Sequence, residues 1–157
     1  MIRPAVPEDA PGIAEIWNRI IRETIITFTT AEKDADTLAA SIAEGMACHV
    51  AVEAGRIIGF VIAFQFRGGP GYAHTYEHSI HLLPEAQGRG FGRALMAAVE
   101  ADLKARGVHS LFAGVSGENA AGVTFHAALG YREVARLPEV GWKFGRWHDL
   151  VLMQKML

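Results

Sequence analysis

Only one cysteine, Cys48, stands among the 157 residues, so no disulfide can close within the chain and no cysteine-based zinc site can be built. Excess charge is also missing: the formal net charge is −2. Without a basic surplus to meet a polyanion, nucleic acid is not an expected partner. No stretch reaches the roughly 20 apolar residues that a membrane span needs, and "MIRPAVPEDA" at the start lacks the apolar core of a secretion signal. The expected address is the cytoplasm, with no membrane partner. Repeats and low-complexity linkers are absent as well. What remains is a chain in which half the residues are apolar, the composition of one globular domain over residues 1–157.

The apolar residues fall into alternating helical and extended patterns. A short strand is expected over Ile2 to Ala5, then a helix opened by "PEDAPG", with Ile13, Ile16, Trp17, Ile20 and Ile21 on one face. A short helix carrying Leu38 and Ile42 follows. "CHVAVEAGRIIGFVIAFQF" reads as a hairpin turning at Ala54-Gly55. Next come a strand in "YAHTYEHSIHLL", a helix with Ala94, Leu95, Ala98, Val99 and Leu103 inward, and a strand in "HSLFAGV". A helix in "ENAAGVTFHAALGY" and two strands, Tyr131 to Leu137 and Trp147 to Met156, end the chain. The order β-α-α-β-β-β-α-β-α-β-β predicts an α/β fold on a mixed sheet.

Between the fourth strand and the third helix stands "QGRGFGRALMAAVE", with Gly88, Gly90 and Gly92 where the helix begins and Arg89 and Arg93 beside them. Backbone N–H groups at a helix start, cleared of side chains by glycine, make a cradle for a phosphate. Spacing then restricts the ligand. No Gly-Lys pair occurs anywhere, which excludes a Walker loop, and Arg93 and Leu95 stand where a dinucleotide fingerprint would need its last glycine.

Gln87-x-x-Gly90-x-Gly92 after a strand resembles the pyrophosphate loop of the GCN5-related N-acetyltransferases. Asn119, Phe125-His126 and Gly130-Tyr131 resemble that family's second CoA-contacting helix. "HTYEHSIHLLPEAQGRGFG", "FHAALGY" and "GWKFGRWHDLVLMQ" are similar to its phosphinothricin and methionine sulfoximine acetyltransferase group, over nearly the whole chain. The resemblance implies a mixed central sheet flanked by helices, with acetyl-CoA as cosubstrate in a cleft between splayed strands. Its pantetheine arm would run along Ile80, His81 and Leu82, and its pyrophosphate on Gln87, Gly88, Arg89, Gly90, Phe91 and Gly92, with Arg93 and Asn119 nearby. The acceptor implied is the α-amine of a small amino acid or analogue, acetylated by direct transfer, in a homodimer. Acetylation of a protein N-terminus or a polyamine, and a non-catalytic acyl-CoA-binding module, are the alternatives.

Acetyl transfer to an amine needs a base for the ammonium and an acid for the leaving thiolate. Glu77 lies mid-strand in an apolar stretch, and the resemblance makes it the base, acting through water. His126 is assigned proton transfer, either as acid or as second base, with Tyr131 as a further acid. The resemblance also points to Arg67 as the partner of an anionic acceptor group, with Phe28 and Tyr72 as pocket walls. One departure is Ala73, where some relatives carry a second basic residue. His74 and His78 would lie roughly 13 Å apart along a strand, and His81 faces the other way, so no metal site is expected.

Overall fold

Ala54 and Gly55 both stand at positive φ, 49° and 76°, the backbone of a tight hairpin turn. That turn closes β2 (Ala47–Glu53) onto β3 (Arg56–Gln65) in a computed structural model that describes residues 1–157. The hairpin sits within a seven-stranded sheet of order β1-β2-β3-β4-β5-β7-β6. Its other strands are β1 (Ile2–Pro4), β4 (Thr75–Leu82), β5 (Ser110–Ser116), β6 (Arg132–Lys143) and β7 (Arg146–Met156). Every pairing is antiparallel except β4 with β5, which needs a crossover. α3 (Phe91–Ala105) supplies it.

Residues Ile58 through Ala63 of β3 are buried without alternation, because helices cover both faces of the sheet there. From α1 (Ala10–Glu23), Trp17 meets Phe60 with ring centroids 5.2 Å apart. Ile13, Ile16 and Ile21 join Trp17 in the core, and Ile20 is half-buried. α2 (Ala35–Ala43) buries Leu38 and Ile42, and its first turn is capped by Asp34, which accepts from the Thr37 backbone N–H at 2.9 Å. α3 buries Leu95, Met96, Val99 and Leu103, whereas Ala94 and Ala98 are half-covered at the edge of the stripe. α4 (Ala120–Ala128) buries a single residue, His126.

Two expectations change. Asp9 does more than favour the start of α1: it accepts from both Arg3 guanidinium nitrogens at 2.6 and 2.9 Å and from the Val6 N–H at 2.9 Å. These bonds, the Arg3 one foremost, hold its carboxyl below the usual range and tie β1 to the helix. β6 also runs past Leu137 to Lys143, through Pro138 and a register shift between Leu137 and Gly141. Proline is tolerated there because β6 is an edge strand. No helix is long and apolar enough to cross a membrane.

Leu95 is fully buried under the sheet. Leu95→Ala is expected to destabilise the fold by about 2–5 kcal/mol through lost contact and a cavity, read as a lower urea midpoint at unchanged slope.

Candidate active site

β4 and β5 pair only from Thr75 and Ser110 to His78 and Ala113. Beyond that point Ser79–Leu82 pair with β3 alone and Gly114–Ser116 with β7 alone. The two strands part, and one row of β4 backbone N–H and C=O groups faces the gap. Two cavities of about 710 and 660 Å3 meet at this opening, sharing Ile26, Ile80, His81, Asn119, Gly122 and His126.

The smaller cavity runs to the glycine turn. Gly88 and Gly90 stand at φ 71° and 87°, and nothing lies within 4 Å of where a side chain would begin. Both conformations favour glycine, and the space left open lets an anion approach the N–H groups at the start of α3. Gly92 serves packing instead: a Cβ there would come within 3.1 Å of the Phe125 ring. Gln87, Leu82 and Arg93 line the same cavity. Arg89 does not. Its guanidinium turns to Glu53 at 2.6 Å and passes over the Phe91 ring, which itself packs on the core. The carboxylate opposite has captured the charge expected at the turn.

The larger cavity holds Glu77. Burial alone raises its pKa, the direction that suits a carboxylate to accept a proton near neutrality. Its room comes from β5, since a Cβ on Gly114 would stand 2.9 Å from Glu77 Oε1. His126 lines both cavities, yet its ring nitrogens are already engaged. Nδ1 lies 2.8 Å from the Gly122 carbonyl, to which it must donate, and Nε2 lies 2.9 Å from Nε2 of His78. Two facing nitrogens share one proton, so His78 donates and the His126 lone pair accepts. Burial lowers both pKa values, that of His78 to about 3, and keeps the pair neutral.

Other expected residues fall elsewhere. Tyr131 lines neither cavity; its hydroxyl donates to Glu100 at 2.9 Å, and burial raises its pKa. Glu100 also receives Lys155 at 2.7 Å, so Tyr131 completes a structural network and is not placed to act as an acid. Phe28 is on the cavity wall, but Arg67 and Tyr72 stack on each other in an exposed loop outside it. Gln65 donates to the Arg67 and Gly69 carbonyls at 2.7 and 2.8 Å and holds that loop off the sheet. Lys33, which the sequence did not single out, is the only lysine or arginine on the larger cavity's wall. Asn18 grips its backbone, accepting from the N–H at 2.6 Å and donating to the carbonyl at 3.0 Å, and its ammonium lies 4.6 Å from the Trp17 ring centre. The Cys48 thiol is buried, with its pKa pushed up to about 12, and is no acyl carrier. No cluster of three His, Cys, Asp or Glu side chains is placed to hold a metal.

Residues 13–131 match the family described as Acetyltransferase (GNAT) family. The chain belongs to that family. Over 99% of its length it is 35% identical to the L-amino acid N-acyltransferase MnaT of Escherichia coli, covering 93% of that protein. It is 32% identical to a phosphinothricin N-acetyltransferase of Streptomyces coelicolor, with 99% of this chain and 95% of that one covered. The structure of yncA, a putative acetyltransferase from Salmonella typhimurium with its cofactor acetyl-CoA, superposes with a TM-score of 0.94 at 34% identity, covering 100% and 93% of the two chains. The GNAT fold and acetyltransferase activity follow, with acetyl-CoA as the family's cosubstrate. The glycines cleared of side chains at the α3 start and the unpaired β4 edge fit such a cosubstrate.

Two outcomes follow from this geometry. Gly114→Ala displaces the Glu77 carboxylate and is expected to lower turnover about tenfold or more while acetyl-CoA affinity stays within twofold, read by steady-state kinetics and calorimetry. Burial also holds the pKa of His78 near 3 and that of His81 near 4, against about 6.5 when unfolded. The unfolded chain therefore binds protons first on acidification, and stability present above about pH 6.5 is lost progressively toward about pH 3. Urea midpoints across that range should fall, and His81→Leu should flatten the slope.

Proposed function

We propose that residues 1–157 form one acetyltransferase domain that transfers the acetyl group of acetyl-CoA directly to the α-amine of a small amino acid or analogue. Methionine sulfoximine, methionine sulfone and phosphinothricin are the acceptor type. The observation that carries this reading is the desolvated Glu77 carboxylate in the larger cavity, which joins the smaller one where β4 and β5 part.

The acceptor enters as an ammonium, which has no lone pair until a proton leaves. Glu77 takes that proton through water, and the freed amine attacks the thioester carbonyl. The nitrogen–carbon bond forms as the carbon–sulfur bond breaks; the attacking nitrogen releases its remaining extra proton to water, and the departing thiolate takes one from solvent. Unpaired β4 N–H groups at the parting would be the donors available to the carbonyl oxygen as it gains charge. While His78 occupies its lone pair, His126 serves as a fixed wall between the cavities and proton acceptance falls to Glu77. Lys33, its backbone held by Asn18, supplies the positive charge for an anionic acceptor in this reading, in place of Arg67, which sits in the exposed loop. Arg93 and the N–H groups of Gln87 to Gly92 take the pyrophosphate.

A homodimer is part of the same reading. Trp142, Phe144 and Trp147 are each more than half exposed around the β6–β7 turn, an apolar group that a second copy would cover. The site of action in this reading is the cytoplasm.

CoA thiol release is the direct assay, with methionine sulfoximine, phosphinothricin, common amino acids, spermidine and an N-terminal peptide as acceptors. Saturable turnover on the amino acid analogues is expected, with kcat falling about 10²–10⁴-fold in Glu77→Gln at unchanged acetyl-CoA affinity. Because the base must be deprotonated, kcat/KM should fall as pH drops through the raised Glu77 pKa, and that limb should vanish in Glu77→Gln. Preference for the peptide or spermidine would move the acceptor class. Tight acetyl-CoA binding with no turnover on any amine would make the chain a binding module.

A further inference from the structure

Lys143 is a lysine buried to 1% exposure with no carboxylate against it. An ammonium out of water needs its protons bonded, and without a counter-ion the arrangement is costly. Its Nζ donates to the Thr24 carbonyl at 2.6 Å, the Thr27 carbonyl at 2.8 Å and Thr27 Oγ1 at 3.3 Å. Three protons meet three acceptors, all on one segment more than a hundred residues away in sequence.

That segment, residues 24–34, joins α1 to α2 without regular structure and forms one wall of the larger cavity through Ile26, Thr27, Phe28 and Thr29. Strand ladders cannot hold it, so its inward carbonyls depend on a side-chain donor. Phe28 is fixed from the same side. Its ring stacks on His148, centroids 5.5 Å apart at 21°, and lies against Gly141, where a Cβ would collide with it. His148 Nε2 lies 2.9 Å from the Lys143 carbonyl, and its Nδ1 lies 2.6 Å from a Glu118 carboxylate oxygen. The β6–β7 hairpin thus grips the loop at Thr24, Thr27 and Phe28, while Lys143 itself lines neither cavity.

We propose that Lys143 is a positioning residue for the acceptor: its ammonium holds the Thr24–Phe28 turn in the shape that forms the acceptor wall, and so sets acceptor affinity without touching acceptor or acetyl-CoA. This rests on reading the larger cavity as the acceptor site. Lys143→Met keeps the apolar stem and removes the donors. It should raise the acceptor KM about tenfold or more, with acetyl-CoA Kd within twofold, and speed amide exchange in residues 24–31 but not in α3. Lys143→Arg should recover little, because a planar guanidinium does not converge on three such acceptors. If Lys143→Met does not fold, Gly141→Ala pushes on Phe28 from the same hairpin and should give the same KM change. Unaltered amide exchange over 24–31, or an unchanged acceptor KM in a folded variant, would overturn the clamp. A wild-type protein that turns over no amino acid would overturn the acceptor reading, while the exchange measurement still decides the clamp.

Discussion

Everything at the site depends on how briefly β4 and β5 pair. Parallel strands joined through α3 would ordinarily run side by side, yet here the ladder stops after His78 and Ala113. A buried backbone without partners is costly, so the parting is stable only because β3 keeps one edge of β4 bonded and β7 keeps one edge of β5 bonded. The remaining edges face the gap and are ready to accept an extended ligand as an added strand. The cavities, the glycine turn and Glu77 are arranged around that wedge.

Glycine serves this arrangement in different ways. At Gly88 and Gly90 it permits a left-handed backbone and leaves open space. At Gly114 and Gly92 the conformation is ordinary and the absent side chain is what matters, admitting the Glu77 carboxylate in one case and the Phe125 ring in the other. Substitution at the first pair strains the chain, whereas substitution at the second moves a neighbour.

The buried polar groups divide in the same way. His81 packs beside Trp17 and Phe60 with its ring tilted to both and Nε2 unpartnered, as a neutral aromatic ring. His78 and His126 spend their polarity on each other. Tyr131 spends its hydroxyl on Glu100. Glu77 is left without such a partner, and this is why burial alone moves its pKa.

Much of this was legible in one dimension. The strands and helices follow from apolar spacing, which is a local property of the chain. The glycine turn follows from residue type at a place where a strand gives way to a helix, and Glu77 from the resemblance to the acetyltransferase family. β6 passes the expected end at Leu137 and runs through Pro138, which its edge position makes tolerable. What tertiary structure alone decided is where long side chains spend their hydrogen bonds. His78 reaches His126 across 48 residues, and Lys143 reaches Thr24 across 119. Arg67 is held out of the cavity by the course of its loop, and Lys33 is brought in by Asn18. Periodicity records which face of an element is buried. It carries no record of which distant donor will find which acceptor, because that choice is made only when the elements pack.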